Sequence, residues 1–213
     1  MPRKVVPLIT GETYHVFNRG VDKRTVFQDK ADYARFHLSL QLFNSRNQSG
    51  GIYELHWNPE WIKKQKPLVH IHAYCLLNNH FHLLATQVVN GGLSEFMKRL
   101  GGGYTSYFNE RYDRSGALFQ GNYKRVLCED NEQLLYLAAY INLNNMVHAY
   151  TEYYISSFDT YLGKKDEKFV KTDLILDQYK PHNSFRVSAV ALANEIARKR
   201  KIDKEYNKAS FLE

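Results

Sequence analysis

The apolar positions of this 213-residue chain change period several times, and each change marks an element. Residues 13–18 (TYHVFN) are rich in strand formers and stop at Arg19-Gly20, which predicts a first strand. Asp29-Lys30-Ala31-Asp32 opens a helix on which Tyr33, Phe36, Leu40 and Phe43 recur at helical spacing. Residues 45–67, with Gly50-Gly51, read as a loop or ragged hairpin carrying Trp57 and Trp61. Two β-like runs follow, 69–77 and 80–87. They are joined by Asn78-Asn79, and asparagine tolerates the positive φ of a tight hairpin turn. Leu93, Phe96, Met97, Leu100, Tyr104, Tyr107 and Phe108 mark a second helix with Gly101-Gly102-Gly103 inside it. Three glycines there cost about 2–3 kcal/mol relative to alanine, so the pattern predicts either a break or a close approach to the backbone. Residues 122–128 form a fourth strand, and Asp130 or Asn131 caps a third helix running to about His148.

The order β-α-β-β-α-β plus a helix predicts an α+β, ferredoxin-like split βαβ fold. It comprises a four-stranded antiparallel sheet with helices on one face, and a following helix that can dock on the other face or edge. From about residue 164 the chain turns charged (Lys164-Lys165-Asp166-Glu167-Lys168). A final amphipathic segment, about 184–204, ends in Arg198-Lys199-Arg200-Lys201. The expected organisation is a main domain at 1–163 and a charged, partly helical extension at 164–213, without internal repeats.

Composition narrows the partners. Twenty-nine Lys+Arg against 22 Asp+Glu give +7 and a pI near 9.2. That balance favours a polyanion, nucleic acid being the commonest, although charge alone fits a plain basic protein equally well. Sixteen Tyr and 12 Phe supply many rings for core and for base stacking alike. Cys75 and Cys128 form no C-x-x-C pair and read as two buried, reduced thiols, consistent with a cytoplasmic protein. The start of the chain lacks signal-peptide character, and no apolar run approaches the roughly 18–20 residues of a membrane span.

The chemistry concentrates in two places. In Asn79-His80-Phe81-His82-Leu83-Leu84 the histidines point to one face of a strand and Phe81 to the other. Two residues of rise put their Cβ atoms about 6.5–7 Å apart, close enough to share a metal ion. His70-Ile71-His72 has the same spacing, and for any such pair satisfied structural histidines are the commoner outcome. On the third helix Tyr136, Tyr140 and Asn144 follow one another at about 40° per step along one stripe. A solvated face is the ordinary explanation of such a stripe. Alternatively, Asn144 supplies an amide oxygen to a histidine-held ion, a mixed N/O set suited to Mg²⁺ or Mn²⁺.

Asn79-His80-Phe81-His82-Leu83-Leu84 resembles the HUH motif of the single-tyrosine transposases. Further stretches resemble that group's other landmarks: Tyr14-His15-Val16-Phe17-Asn18-Arg19-Gly20 its first strand, His72-Ala73-Tyr74-Cys75-Leu76-Leu77 the strand before the histidines, and Tyr107-Phe108-Asn109 with Ser115-Gly116-Ala117-Leu118-Phe119-Gln120-Gly121 the link into the fourth strand. Tyr140-Ile141-Asn142-Leu143-Asn144-Asn145 is similar to the Tyr-Ile-His-Leu-Asn-Pro signature of the REP-associated branch, with Asn142 for the usual His and Asn145 for the usual Pro. Residues 11–160 carry the resemblance in family order. It implies a metal-dependent strand transferase acting on single-stranded DNA, with a hairpin beside the cleavage site and a 5′-phosphotyrosine intermediate. Tyr140 would be the nucleophile, and His80, His82 and Asn144 would be ligands of a divalent ion, Mg²⁺ or Mn²⁺. A free phenol, with a pKa of about 10, needs such help. Arg19, Lys23, Arg24, Lys98, Arg99, Lys124 and Arg125 are candidates for backbone phosphates, and each is also an ordinary surface charge. The active unit is expected to be a monomer or homodimer. Rival readings are a non-catalytic single-strand-binding module, a domesticated regulatory or repair relative, and a metal nuclease that uses water.

Overall fold

The period-two alternation of the central strands sorts the core into two layers. The computed structural model describes residues 7–47, 66–179 and 184–209, with side chains to residue 203 in the last stretch. Most of the expected 45–67 loop, with Trp57 and Trp61, lies outside them. The elements are β1 (Thr13–Arg19), α1 (Lys30–Leu42), β2 (Val69–Leu77), β3 (His80–Gln87), α2 (Gly92–Arg111) and β4 (Lys124–Leu127), then α3 (Asn131–Asn142), α4 (Asn144–Val147), β5 (Ile155–Ser156), α5 (Phe158–Tyr161), α6 (Asp173–Leu176) and α7 (Ser184–Ala209). The sheet order is β4-β1-β3-β2-β5, with every neighbouring pair antiparallel. Its first four strands have the ferredoxin-like arrangement expected from the sequence. The fifth, of two residues, is too short to leave a periodic trace.

On β3, Phe81, Leu83 and Ala85 point to the layer of α1 and α2, where they meet Phe36, Leu40, Phe96, Leu100 and Tyr104. The intervening Leu84 belongs to the opposite layer, with Ala73, Cys75 and Leu77 of β2 and Leu137, Ala138 and Ile141 of α3. Phe185, Ala189, Ala193 and Ile196, at three- and four-residue spacing on α7, are buried in that second layer too. The sheet is therefore covered on both faces, and the last helix leans on the helix that carries Tyr140. Both cysteines are free and buried.

Three local departures from the expected pattern have physical causes. α2 runs unbroken through its three glycines. β4 is shorter than residues 122–128, because Gly121 turns the chain at φ +64° just before it. The helix expected to reach His148 stops at Asn142, passes Leu143 at φ −115° and restarts as α4. The cluster Asn142, Asn144, Asn145 explains that break, since asparagine binds nearby polar groups at the expense of helix. Asn142 itself donates to the Ala138 carbonyl at 3.0 Å and accepts from Ser157 Oγ at 2.7 Å.

Candidate active site

β3 lies in the middle of the sheet, so His80 and His82 are presented from a rigid strand to the face covered by α3. In register, His80 sits opposite Arg19 and His82 opposite Phe17 on β1. Phe17 in turn pairs with Lys124 of β4.

Hydrogen bonding separates the two H-x-H pairs. His72 uses both ring nitrogens, Nδ1 with the Lys171 carbonyl at 2.8 Å and Nε2 with Thr86 Oγ1 at 2.7 Å. It is a satisfied structural histidine. Among the described residues His80 uses only Nδ1, 2.6 Å from Asn79 Oδ1, and His82 only Nδ1, 2.8 Å from His15 Nε2. An amide oxygen only accepts, so His80 Nδ1 carries the proton and Nε2 keeps a lone pair. A proton on His82 Nδ1, donated to His15, does the same for His82. The two rings stand 5.1 Å apart at 84°. Burial holds His80 down to about 4, with the charges of Arg19 and His148 adding to it. Burial also holds His82 well below the usual imidazole range, and His15 at about 4. At neutral pH the rings are neutral, the form that binds metals.

Tyr140 completes the group from α3. Its ring stands edge-on to His82 at 5.6 Å and to His15 at 6.0 Å, and parallel to Tyr136 at 6.4 Å. Its Oη lies 3.3 Å from Nε2 of His148. His80, His82, Tyr140 and His148 line one cavity of about 280 Å³, together with Phe17, Asn18, Arg19, Gln120 and Lys124.

Asn144 is fully buried, and neither Nδ2 nor Oδ1 has a hydrogen-bond partner among the described residues. It is not among the residues lining the cavity. Among the described residues no group of three His, Cys, Asp or Glu side chains could hold a metal. An orphaned buried amide needs an explanation in its own right.

Of the seven cations expected to meet phosphates, the structure brings Arg19 and Lys124 to this cavity. Lys98 and Arg125 line a different groove. Lys23 ends a 3₁₀ turn at Val21–Lys23, and Arg24 follows it, donating from Nε to the Val21 carbonyl at 3.2 Å. Arg99 is tied to the fold by Glu95 at 2.7 Å and the Ser45 carbonyl at 2.6 Å. Reasoning from sequence missed His15, Gln120 and His148. His15 shares a strand face with Phe17 and so carried a weak signal. His148 carried none, because the chain break at Leu143 decides where it points.

Residues 10–144 match a protein-family model described as "Transposase IS200 like". Among solved structures the chain is similar to a REP-associated tyrosine transposase bound to a REP hairpin. The two share 13% identity at a TM-score of 0.52, over 81% of this chain and 90% of that one. That likeness is one of fold. No curated protein matches.

Proposed function

This chain belongs to the IS200-like transposase family, and from that premise we propose that it cleaves and rejoins single-stranded DNA through a phosphotyrosine at Tyr140. The observation that carries the reading is the sharing of one cavity by the Tyr140 hydroxyl, two half-satisfied histidines and the cations Arg19 and Lys124.

Arg19 and Lys124 would seat the scissile phosphate by its non-bridging oxygens. Tyr140 Oη then attacks phosphorus in line, and the P–O3′ bond breaks. The 5′-phosphate stays on the tyrosine, and the upstream strand leaves as a 3′-oxyanion that takes a proton from solvent water to become a 3′-hydroxyl. The phenol proton passes to His148 Nε2, the nearest basic atom in hydrogen-bond contact. In the second half-reaction another 3′-hydroxyl attacks the same phosphorus and gives its proton to solvent, the P–Oη bond breaks, and Tyr140 recovers its proton from His148. The phosphotyrosine conserves the bond, so no nucleotide triphosphate is required.

His80 and His82, through Nε2, and Asn144, through Oδ1, would hold a divalent ion, Mg²⁺ or Mn²⁺. The spare imidazole nitrogens that line the cavity support that role; for Asn144, which does not line it, the support is the orphaned amide alone. When bound, the ion supplies Lewis-acid stabilisation of the phosphate's developing charge. The neighbouring structure's REP hairpin supports a substrate in which a hairpin adjoins the cleaved strand. In this reading residues 1–163 carry the chemistry, and the segment 164–213 braces α3 through α7. No helix among the described residues is long and apolar enough to cross a membrane.

Incubation of the protein with Mn²⁺ and an end-labelled single-stranded oligonucleotide carrying a hairpin tests the proposal on a denaturing gel. A slow-migrating covalent adduct is expected, absent in Tyr140→Phe. Cleavage without an adduct would favour attack by water, and binding without cleavage would favour a binding module.

A further inference from the structure

The three consecutive glycines of α2 do not share one explanation. A Cβ on Gly103 would come within 2.6 Å of Phe43 Cε2, so that glycine is set by packing against the end of α1. At Gly101 and Gly102 a Cβ would meet no atom within 4 Å. Both have ordinary helical backbone, where alanine is the better helix former. Packing gives no reason for either. Bare backbone in open space is what a ligand lying close along a helix requires.

Both glycines face a groove of about 780 Å³ between α2 and the β4 edge of the sheet. Its chemistry is that of a nucleic-acid track. Lys98 and Arg125 supply positive charge. Ser94, Thr105 and Ser106 offer hydroxyls, Tyr123 offers a ring, and no lining residue among those described is acidic. The groove adjoins the catalytic cavity across the sheet edge, Asn18 lining both. β4 is the outer strand on that side, and its alternation sends Lys124 to the catalytic cavity and Arg125 to the groove. A strand passing over this edge meets a cation on each side.

We propose that the groove binds the unpaired DNA strand flanking the scissile phosphate, with the exposed backbone at Gly101-Gly102 as its floor. The inference rests on the phosphotyrosine reading only for where that strand leads. The contact is to sugar and phosphate, because a helix backbone offers no base-specific edge there.

Fluorescence anisotropy with labelled oligothymidylates of about 4–16 nucleotides tests this in a Tyr140→Phe background, so that no chemistry is needed. Affinity should rise with length in the parent. In Gly101→Leu/Gly102→Leu the gain should be lost, with the longest strand bound at least ~10-fold more weakly and the shortest little changed. The alanine pair, Gly101→Ala/Gly102→Ala, keeps the test decisive should leucine unfold the chain. It should raise Tm by about 2–4 °C per site while weakening long strands. Parent-like affinity in the alanine pair, an equal loss at every length, or equal competition by a blunt hairpin without overhang would overturn the inference. The covalent adduct is read separately on a gel, so failure of the tyrosine chemistry and failure of the groove give different results.

Discussion

Nε2 of His15 lies 2.8 Å from Nδ1 of His82, a side-chain hydrogen bond between neighbouring strands β1 and β3. The two rings lie 5.1 Å apart and nearly parallel. The contact orients the His82 ring, and when His82 Nδ1 is the donor it leaves the lone pair on Nε2. Partners of this kind behind a ligating imidazole are typically worth a factor of about 10–100 in metal affinity.

His15→Ala should therefore weaken Mn²⁺ binding by about 10–100-fold. His15→Asn, which keeps a polar partner, should restore part of the loss. Titration calorimetry with Mn²⁺ alone reads this without DNA. Unchanged affinity in His15→Ala would remove the positioning role.

The pairing of Tyr140 with His148 makes a kinetic claim. If His148 takes the phenol proton, His148→Ala should slow adduct formation at pH 7 by about 10²-fold or more. Oligonucleotide affinity should barely move. Single-turnover measurements separate the two, and a parent-like rate in the variant would leave proton transfer without a protein base.

How much of this was legible beforehand follows from the range of the forces involved. Strand alternation around Phe81 and helical spacing around Phe36 and Leu40 are local, so the sheet, its two helices and the shared face of His80 and His82 could be read directly. The choice between His72 and His82 rested on the family resemblance, because the physical difference between them is not local. It turns on Lys171 and Thr86, which saturate the former, and on His15, which leaves the latter half-used. Those contacts exist only once distant segments meet. The asparagine cluster around Leu143 signalled a weak helix end, but the contact that holds Asn142 there, with Ser157 fifteen residues later, was hidden. His148 enters the site only through the break at Leu143. Charge counting named seven cations, yet only the sheet register shows that Lys124 and Arg125, adjacent in sequence, serve different cavities.

The segment after residue 164 is anchored by a carboxylate whose protonation has a sign that can be worked out. Glu167 accepts from His37 Nε2 and Tyr74 Oη at 2.8 Å and from Thr160 Oγ1 at 2.5 Å. Burial alone would push its carboxyl up, but those hydrogen bonds outweigh it and hold the group down at about 2. A pKa depressed on folding gives stability that is complete above the unfolded value, near 4.5, and is lost as pH falls toward 2. Glu167→Gln should cost about 2–3 kcal/mol at pH 7, and the gap from the parent should close progressively between those two values. Thermal melts from pH 7 to pH 2.5 check this. A pH-independent gap would show that Glu167 acts through packing alone.

The most direct test of the central claim is the identity of the residue joined to DNA. Tyr136 stacks parallel to Tyr140 at 6.4 Å and is 40% exposed, so it is the natural competitor on the same helix face. Proteolysis of the trapped protein–DNA complex, followed by mass spectrometry of the DNA-linked peptide, should place the phosphodiester on Tyr140. A linkage to Tyr136, or single-strand cleavage leaving every tyrosine unmodified, would contradict the account.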